Sequence, residues 1–339
     1  MGSRSRSSPP TRSRGRHRGG GGRYSGNVKI LVPTVIPIEF TAPEGVSDVR
    51  YDVRAPIPKE HRDAEAIVLW LNPPAELSAL PQQLPHLKWI QGLMAGPDAV
   101  HAAGFPSHVQ VCAGVGLHDA PVAEHTMALI LAAARRLDLT TRAQEESRWA
   151  RELSGNQTVK RTGFTTLGGA SVLVWGFGSI GQHLAPLLSA FGARVTGVAN
   201  SAGTRAGYPV ITPTDLPDYL PTTDVLVSIL PGTNATAGIV NAEIFEALPS
   251  HAWFVNVGRG SVVDDSDLLT ALANGTIAGA ALDVFVEEPL PSSSPLWQAP
   301  NMIITPHTAG GRPQNPGERI EENLRRYLAG EELIGVSRP

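Results

Sequence analysis

The apolar residues of this chain fall in short runs that alternate with polar, turn-forming segments. Order is expected to begin at Val28, where VKILVP predicts a buried strand that a proline ends. Up to about residue 115, further apolar runs lie within AIVLWLNPP, LKWIQGLMAGPD and VQVCAGVG, with helical stretches such as ELSALPQQL between them. This alternation predicts a small parallel sheet with connecting helices.

A clearer pattern of the same kind begins at residue 171. Six runs rich in β-branched residues lie within SVLVWGFG, RVTGVAN, DVLVSIL, AWFVNVG, IAGAALDVF and MIITPH. Helical segments separate them, among them SIGQHLAPLLSAFG, NAEIFEALP and DDSDLLTALANG. In the last of these, Asp264 or Asp265 is a candidate N-cap and Gly275 a candidate end. Strands that alternate with helices predict βαβ units and a doubly wound α/β sheet.

Two longer helices are predicted outside these strands. APVAEHTMALILAAARRLDLTTRAQ predicts one continuous helix, because Pro121 stands in its first turn and no breaker follows. A polar stretch, residues 150–168, joins it to the strand at 171. The second helix, PGERIEENLRRYLAG, is predicted to end at Gly330.

Composition narrows the class of protein. A length of 339 residues suggests two domains. Apolar runs such as 126–134 are shorter than the roughly 20 residues that a membrane span needs. Because Cys112 is the single cysteine, an internal disulfide or a cysteine-based metal centre is excluded. These features predict a soluble cytoplasmic protein that has no membrane partner and no metal.

Residues 1–26 differ from the rest of the chain. They contain seven arginines and no acidic residue, so the net charge of −3 leaves −10 for the remainder. An acidic body does not predict a nucleic-acid partner, since phosphates need a basic face. The Arg/Ser/Gly composition predicts a disordered tail; organellar targeting and a binding role remain open, whereas the lack of an apolar stretch excludes a secretory signal.

A glycine-rich loop follows the first strand of the second region. Gly176, Gly178 and Gly181 form a GxGxxG pattern between a predicted strand and a predicted helix. The first glycine permits a tight turn, the second lets the backbone approach a pyrophosphate, and the third lets helix and strand pack closely. The sequence therefore predicts a dinucleotide-binding loop, with phosphate at the helix N-terminus.

The end of the next strand bears on the choice of cofactor. NAD-binding proteins commonly place an acidic residue there, about 20 residues on, to bind the ribose 2′-hydroxyl. Here that position is Asn200, followed by Ser201, Thr204 and Arg205, with no acidic residue between Arg194 and Pro213. A neutral Asn200 and Ser201 would tolerate a 2′-phosphate. The sequence favours NADP over NAD and leaves both open.

A cation, a carboxylate and an imidazole follow three of the predicted strands. Arg259 lies in VNVGRG, Asp283 and Glu288 lie in LDVFVEEP, and His307 lies in ITPHTAGG. Arginine can bind a carboxylate through two parallel hydrogen bonds, and histidine can supply a proton near neutral pH. A carboxylate beside the histidine would fix its tautomer. Together the three groups suit hydride transfer to a keto acid.

In these motifs the chain resembles the D-isomer-specific 2-hydroxyacid dehydrogenases. The likeness rests on GFGSIG, the LP of SILPGT, NVGRG, LDVFxxEP and the final TPH, and runs from about residue 28 to 330. It implies a Rossmann nucleotide-binding domain, residues 121–307, inserted into a discontinuous flavodoxin-like substrate domain, residues 27–120 and 308–339. It also implies two crossing helices, at about 121–138 and 308–330, and a homodimer.

The resemblance also implies roles for individual residues. Arg259 would bind and polarise the substrate, His307 would act as acid/base, and Glu288 would pair with His307. Asp283 would hold the nicotinamide carboxamide. The remaining cofactor contacts would be Ser179, Ile180, Leu230, Pro231 and Val257. Met94, Ala95 and Gly96 match a loop whose amides cradle the substrate carboxylate, and Pro97 after them has no N–H.

The substrate and the reaction direction are less constrained. Reduction of a small 2-oxo acid by NAD(P)H is expected, and the scarcity of lysine disfavours a phosphorylated substrate. The alternatives are a phosphoglycerate, formate or phosphite dehydrogenase, or a corepressor-like protein of the same fold that senses NAD(H) and binds partner peptides. Trp297 is a candidate for a substrate pocket or for plain packing.

Overall fold

A computed structural model describes residues 27–154 and 163–338. The tail, residues 1–26, and part of the linking stretch 150–168 lie outside the described residues, so the predictions made for them are not tested by it. The strands are β1 (Val28–Pro33), β2 (Val46–Tyr51), β3 (Ala66–Leu69), β4 (Trp89–Gly92), β5 (Gln110–Cys112), β6 (Ser171–Trp175), β7 (Arg194–Val198), β8 (Gly203–Arg205), β9 (Tyr208–Ile211), β10 (Val225–Ser228), β11 (Trp253–Asn256), β12 (Gly279–Leu282), β13 (Met302–Ile304) and β14 (Val336–Ser337).

Helices connect these strands. They are α1 (Pro74–Gln83), α2 (Asp98–Ala102), α3 (Asp119–Arg135), α4 (Leu137–Glu145), α5 (Arg151–Ser154), α6 (Ser179–Ala190), α7 (Leu216–Tyr219), α8 (Ala242–Ala247), α9 (Asp265–Ala273) and α10 (Pro316–Ala329). Asp264 caps α9 by accepting hydrogen bonds from the amides of Ser266 and Asp267, as its sequence predicts. Across residues 27–154 and 163–338, no helix is long and apolar enough to cross a membrane.

The strands form two sheets. The first has the order β14-β5-β4-β3-β1-β2, parallel except for the antiparallel pair of β14 and β5. The predicted strands β1, β3, β4 and β5 are all present. The edge strands β2 and β14 were not predicted, because β2 is half-exposed along its length and β14 has only two residues. Hydrophobic side chains are buried on both faces of this sheet, as parallel sheets require.

The second sheet has the order β13-β12-β11-β10-β6-β7-β9-β8. All six apolar runs of this region are parallel strands of it, which confirms the doubly wound architecture. The chain starts at β6, adds β7 on one side and then adds β10 on the other. Ligands bind at such a switch point, beyond the carboxyl ends of the strands. The hairpin of β8 and β9 was not predicted.

The prediction of one continuous helix after Pro121 is wrong. Helix α3 ends at Arg135, Arg136 takes a left-handed conformation (φ 53°), and α4 starts in a new direction. The guanidinium of Arg136 donates two hydrogen bonds to Asp138, at 3.1 and 2.9 Å, and one to Asn301 at 2.8 Å. It also lies 5.7 Å from the ring centre of Trp253. These contacts hold the turn that separates the two helices.

The chain passes between the sheets twice. The first crossover, residues 113–118, leads from β5 to α3, and the second, residues 305–315, leads from β13 to α10. The predicted second crossing helix, 308–330, is therefore shorter than expected: α10 starts at Pro316, after Asn315 in a left-handed conformation. The Gln314 amide donates to Leu117 O at 2.8 Å, so the two crossovers lie side by side.

Candidate active site

Two adjoining cavities lie where the two sheets meet. One, of about 270 Å³, is lined from the first sheet by Trp70, Met94, Ala95 and Gly96 and from the second by Arg259, Asp283 and His307. The other, of about 250 Å³, shares Ala95, Gly96, Ile180, Val257 and Arg259 with it and extends along Gly176, Gly178, Ser179, Leu230 and Pro231. The structure thus brings together residues from nearly every motif singled out in the sequence.

The glycine loop has the geometry that its sequence predicts. Gly176 has a φ of +100°, and a Cβ added to it would lie 2.5 Å from Ile229 O, so this position needs glycine. A Cβ at Gly178 would meet no atom within 4 Å, which leaves space above the loop. A Cβ at Gly181 would lie 3.1 Å from Gly176 O, because helix and loop pack closely there. The first amides of α6 have no intrahelical acceptor and suit a phosphate.

A cationic side chain from β8 is held close to the end of β7. Arg205, on β8, donates to Ser201 Oγ at 2.8 Å and to the carbonyl of Phe177, in the glycine loop, at 3.2 Å. The hairpin therefore turns Arg205 back over the strand end where Asn200 and Ser201 lie. Asn200 and Ser201 line neither cavity and lie just beyond the end of β7, the strand end at which this fold commonly binds the adenosine ribose.

Buried Asn256 shapes the backbone around Arg259. It ends β11 and is fully buried. Its side-chain amide donates to Arg259 O at 3.0 Å, and its Oδ1 accepts from the Gly258 amide at 3.1 Å. Gly258 packs so closely that a Cβ would lie 2.6 Å from the backbone N of Leu230. The loops after β10 and β11 are thereby fixed against each other, which places Val257 and Arg259 at the cavity.

The Arg259 side chain reaches across to the first sheet. Its Nε donates to Asp98 Oδ2 at 3.0 Å, and its Nη1 donates to Gly258 O at 2.8 Å. A Cβ added to Gly96 would lie 1.8 Å from Arg259 Nη2, so only glycine leaves room for the guanidinium. Asp98 was not identified from the sequence, although it stands two residues beyond Gly96.

The loop at Met94, Ala95 and Gly96 has unused donors. In residues 27–154 and 163–338, no acceptor is found for the three backbone amides. The Met94 carbonyl, in contrast, accepts from Gly114 N at 2.7 Å, which fixes the loop. Free amides that face a cavity beside an arginine suit an anionic group. Pro97 supplies no amide, so the candidate donors are those three.

His307 and Glu288 form a close pair. His307 Nδ1 lies 2.6 Å from Glu288 Oε2, while Glu288 Oε1 accepts from the Phe285 amide at 2.9 Å. His307 has a φ of +48°, uncommon for a residue with a side chain, and its amide donates to Asp283 O at 2.8 Å. The pair leaves Nε2 of His307 for the cavity.

Asp283 is fully buried and supports the loop that follows His307. Its carboxylate accepts from Thr305 Oγ1 at 2.6 Å and from the amides of Thr308 and Ala309 at 3.0 and 2.9 Å. His125 Nε2, on α3, lies 3.3 Å away. Burial acts to raise the pKa of Asp283, but these hydrogen bonds outweigh it and hold the pKa below its ordinary value of 3.8. Asp283 is thus an ionised anchor at the cavity wall.

Three further polar residues lie at the site without having been identified from the sequence. His125 belongs to the Asp283 network, and Asp119 accepts a hydrogen bond from Ser179 Oγ at 3.1 Å beside the glycine loop. His118 lines the larger cavity and is 4% exposed. All three lie at the start of α3, for which the sequence analysis predicted a helix and no role at the site. Trp297 lines neither cavity; its Nε1 donates to Pro291 O at 2.9 Å.

Known proteins are similar to this chain in sequence and in fold. Residues 127–309 match the family model described as D-isomer specific 2-hydroxyacid dehydrogenase, NAD binding domain. Glyoxylate/hydroxypyruvate reductase A of Yersinia enterocolitica is 31% identical over 294 residues, which cover 80% of this chain and 86% of that protein.

Solved structures of the same family are also similar to this chain. A D-isomer specific 2-hydroxyacid dehydrogenase from Xanthobacter autotrophicus Py2, in complex with NADPH and MES, has 30% identity and a TM-score of 0.76 over 93% of this chain and 99% of that chain. An NADPH-dependent glyoxylate/hydroxypyruvate reductase from Sinorhizobium meliloti, in complex with NADP and sulfate, has 26% identity and a TM-score of 0.74, covering 91% and 98%. The chain belongs to the D-isomer specific 2-hydroxyacid dehydrogenase family.

Proposed function

We propose that this protein reduces a small 2-oxo acid to the D-2-hydroxy acid, with NADPH preferred over NADH. The observation that carries the proposal is a group of three features around one cavity. They are the His307–Glu288 pair, the Arg259 guanidinium and three backbone amides that have no acceptor among the described residues. These are a proton donor, a cation for the reacting carbonyl and a site for a carboxylate. The relatives named as glyoxylate/hydroxypyruvate reductases support the same reaction class.

The substrate carboxylate would bind the amides of Met94, Ala95 and Gly96, with Arg259 beside them. Arg259 Nη2 lies over Gly96, so its positive charge would face both the carboxylate and the 2-oxo oxygen. Asp98 accepts a hydrogen bond from Arg259 Nε, which would set the plane of the guanidinium. Such preorganised charge stabilises the oxyanion that develops in the transition state.

His307 would give its Nε2 proton to that oxygen. Glu288 bonds to Nδ1 and so fixes the orientation of the ring, while the carboxylate stabilises the protonated imidazole. A bound nicotinamide would supply the hydride to C2 of the oxo acid. The carbonyl thereby becomes a hydroxyl, and His307 regains a proton from solvent. In the reverse direction the neutral His307 would remove the hydroxyl proton.

The cofactor contacts follow from the loop geometry. Gly176, Gly178 and Gly181 permit the pyrophosphate to approach the first amides of α6, contributed by Ser179 and Ile180. Val257, Leu230 and Pro231 would line the nicotinamide side of the cleft, and Asp283 would face the carboxamide.

Arg205, Ser201 and Asn200 support the choice of NADP. Arg205 is already held at Ser201, next to the ribose position, so a 2′-phosphate would meet a fixed cation and no acidic residue. A charge-assisted hydrogen bond of this kind stabilises bound phosphate strongly. The solved relatives with NADP or NADPH agree with this preference.

Glyoxylate and hydroxypyruvate are the substrates that we propose first. The cavity of about 270 Å³ suits a small molecule, and its described lining contains no lysine for a phosphate. We also propose a homodimer in the cytoplasm, and a substrate domain formed by residues 27–120 and 308–339 around a cofactor domain, 121–307. The separate sheets support that division.

The first experiment is a spectrophotometric assay of NADPH and NADH oxidation with a panel of 2-oxo acids. We expect turnover of glyoxylate or hydroxypyruvate and a higher kcat/KM with NADPH. Turnover with NADH alone would retain the reductase and reject the interpretation of residues 200–205. Cofactor binding without turnover of any acid would contradict the proposal and favour a corepressor-like binding protein.

A further inference from the structure

A buried histidine joins the two crossovers of the chain. His118 is the last residue of the first crossover and immediately precedes α3. Its Nδ1 lies 2.8 Å from the carbonyl oxygen of Gly310, in the second crossover. Its Nε2 lies 2.7 Å from the carbonyl oxygen of Leu93, directly before the loop of Met94, Ala95 and Gly96. His118 is 4% exposed, so its ring is shielded from bulk water.

Both ring nitrogens of His118 face carbonyl oxygens, which are hydrogen-bond acceptors. These neighbours determine which protonation state of the imidazole fits. A neutral imidazole donates from one nitrogen and accepts at the other, so one of the two carbonyls would face a lone pair at hydrogen-bond distance. A flipped ring would place C–H groups against both oxygens. Only the doubly protonated imidazolium donates to both. A buried polar group without a partner is costly; the contact with Leu93 O is buried and the contact with Gly310 O is partly buried.

A stacked indole favours the same form. Trp70 lies with its ring centre 5.8 Å from that of His118 and with an angle of 14° between the planes. The face of tryptophan attracts a cation. The ionisable side chains that line the cavity with His118 are Arg259, Asp283 and His307, and Asp119 follows His118 in the chain.

The two carbonyls belong to the two loops whose relative position matters for the proposed reaction, the carboxylate-binding loop and the loop after His307. Leu93 precedes the proposed carboxylate-binding amides, and Gly310 lies three residues after His307. We propose that His118 is a positioning residue that carries a positive charge and, by donating to both carbonyls, holds the carboxylate-binding loop at a fixed distance from His307. Its charge also adds to the attraction of the cavity for a 2-oxo acid. This inference rests on the proposed function.

The kinetic test compares two variants of His118. His118→Gln has no charge and can donate to one side only, while His118→Phe retains the stacking on Trp70 and loses both donors. We expect the KM for the 2-oxo acid to rise about tenfold or more in both variants, because hydrogen bonds from a charged donor are lost. The KM for NADPH and the dissociation constant of NADPH should change less than about twofold, since no cofactor contact is altered.

The matched control is His101→Gln, in the substrate region away from the cavity, where Nε2 has a single contact with Ser337 Oγ at 3.0 Å. It should leave every constant unchanged. Equal losses in oxo-acid and NADPH binding in the His118 variants would indicate general loosening of the fold and would overturn the positioning role. Unchanged oxo-acid KM in both would also overturn it.

A spectroscopic test needs neither substrate nor a folded variant. The wild-type protein, labelled with ¹⁵N in its histidine rings, is measured at neutral pH, and the His118 ring is assigned through bonds to its own backbone. We expect both ring nitrogens to carry protons. A neutral tautomer would overturn the proposal. If the wild type reduces no 2-oxo acid, the proposed function fails, whereas this measurement still decides the charge of His118.

Discussion

The two walls of the cleft present their ligand-binding atoms in different ways. The cofactor wall consists mostly of backbone: the glycine loop, the first turn of α6 and the closely packed loops after β10 and β11. Apart from the amides of Met94, Ala95 and Gly96, the substrate wall consists of side chains that are held by partners far away in sequence. Asp98 is 161 residues from Arg259, and His118 is 192 residues from Gly310.

This difference has a physical basis. A binding site made of backbone groups leaves little room for added side chains. Its donors come from consecutive residues of one loop, so they are positioned together when that loop forms. Paired side chains need two parts of the fold to be in place at once. Substitutions on the two walls should therefore have different effects. An added side chain on the cofactor wall would block the cofactor, whereas a substitution on the substrate wall would displace the groups that bind the substrate.

The largest effect is expected at His307, on the substrate wall. His307→Gln removes the proton donor, so kcat should fall about 100-fold to 10,000-fold, the range typical of a lost general acid. NADPH binding, measured by fluorescence titration, should stay within about twofold because the glycine loop is untouched. A similar loss in cofactor affinity would contradict the separation of the two walls. His101→Gln serves as the control.

Gly96→Ala tests how closely the Arg259 guanidinium packs against the loop that contains Gly96. The new methyl group would lie 1.8 Å from Arg259 Nη2, so the guanidinium has to move. A displacement of about 1 Å at a reacting group can cost about 100-fold, and we expect kcat/KM for the 2-oxo acid to fall by that order. Gly168→Ala, where a Cβ would lie 3.7 Å from Thr166 Oγ1, is the control. Normal steady-state kinetics for Gly96→Ala would rule out the close approach.

Arg205→Ala tests the proposed contact between a cationic side chain and the 2′-phosphate of the cofactor. Removing the cation should raise the KM for NADPH about tenfold or more, while the KM for NADH stays unchanged because NADH lacks the phosphate. Arg194→Ala is the matched variant: it lies at the other end of β7 and donates to Ser171 Oγ. If the two cofactors lose affinity equally, Arg205 does not bind the 2′-phosphate.

The smallest effect concerns pH and stability. The folded-state pKa of Asp283 is lower than its ordinary value of 3.8, so ionised Asp283 stabilises the fold above that value and the contribution is lost as pH falls through the folded pKa. Asp283→Asn should reduce the free energy of unfolding by about 1 to 3 kcal/mol at neutral pH.

The difference between the two proteins should narrow as the solution is acidified to about pH 3, which denaturant titrations at several pH values would measure. The exposed Asp218→Asn should show no such change. A difference that stays constant over the whole pH range would contradict ionisation as the source of the stability.

The sequence predicted those parts of the fold that are encoded locally. The six strands of the second sheet, the glycine loop and the cap of α9 at Asp264 each depend on neighbours within one segment, and all are present. The pair of Glu288 and His307 was implied by the resemblance to the dehydrogenase family, and the two side chains lie 2.6 Å apart.

The features that were missed depend on contacts made only after folding. Arg136 interrupts a helix-favouring sequence because Asp138, Asn301 and Trp253 hold it in a turn. Asp98 matters because it contacts Arg259, and His118 because it contacts two backbone carbonyl groups. Backbone contacts of this kind leave no pattern in the sequence. Edge strands β2 and β14 lack the apolar runs by which the others were identified.

The pairing of β14 with β5 also bears on synthesis of the chain by the ribosome. The second sheet is complete once Ile304 has been made, since its strands all lie between residues 171 and 304. The first sheet is started earlier but finished later, because Ile320 and Leu324 of α10 fill its core and Val336 pairs with Cys112. Chains fold as segments emerge, so part of the apolar face of the first sheet stays uncovered until α10 and Val336 have been made. Loss of the final helix would therefore leave a nascent chain with an intact cofactor region and an aggregation-prone N-terminal region.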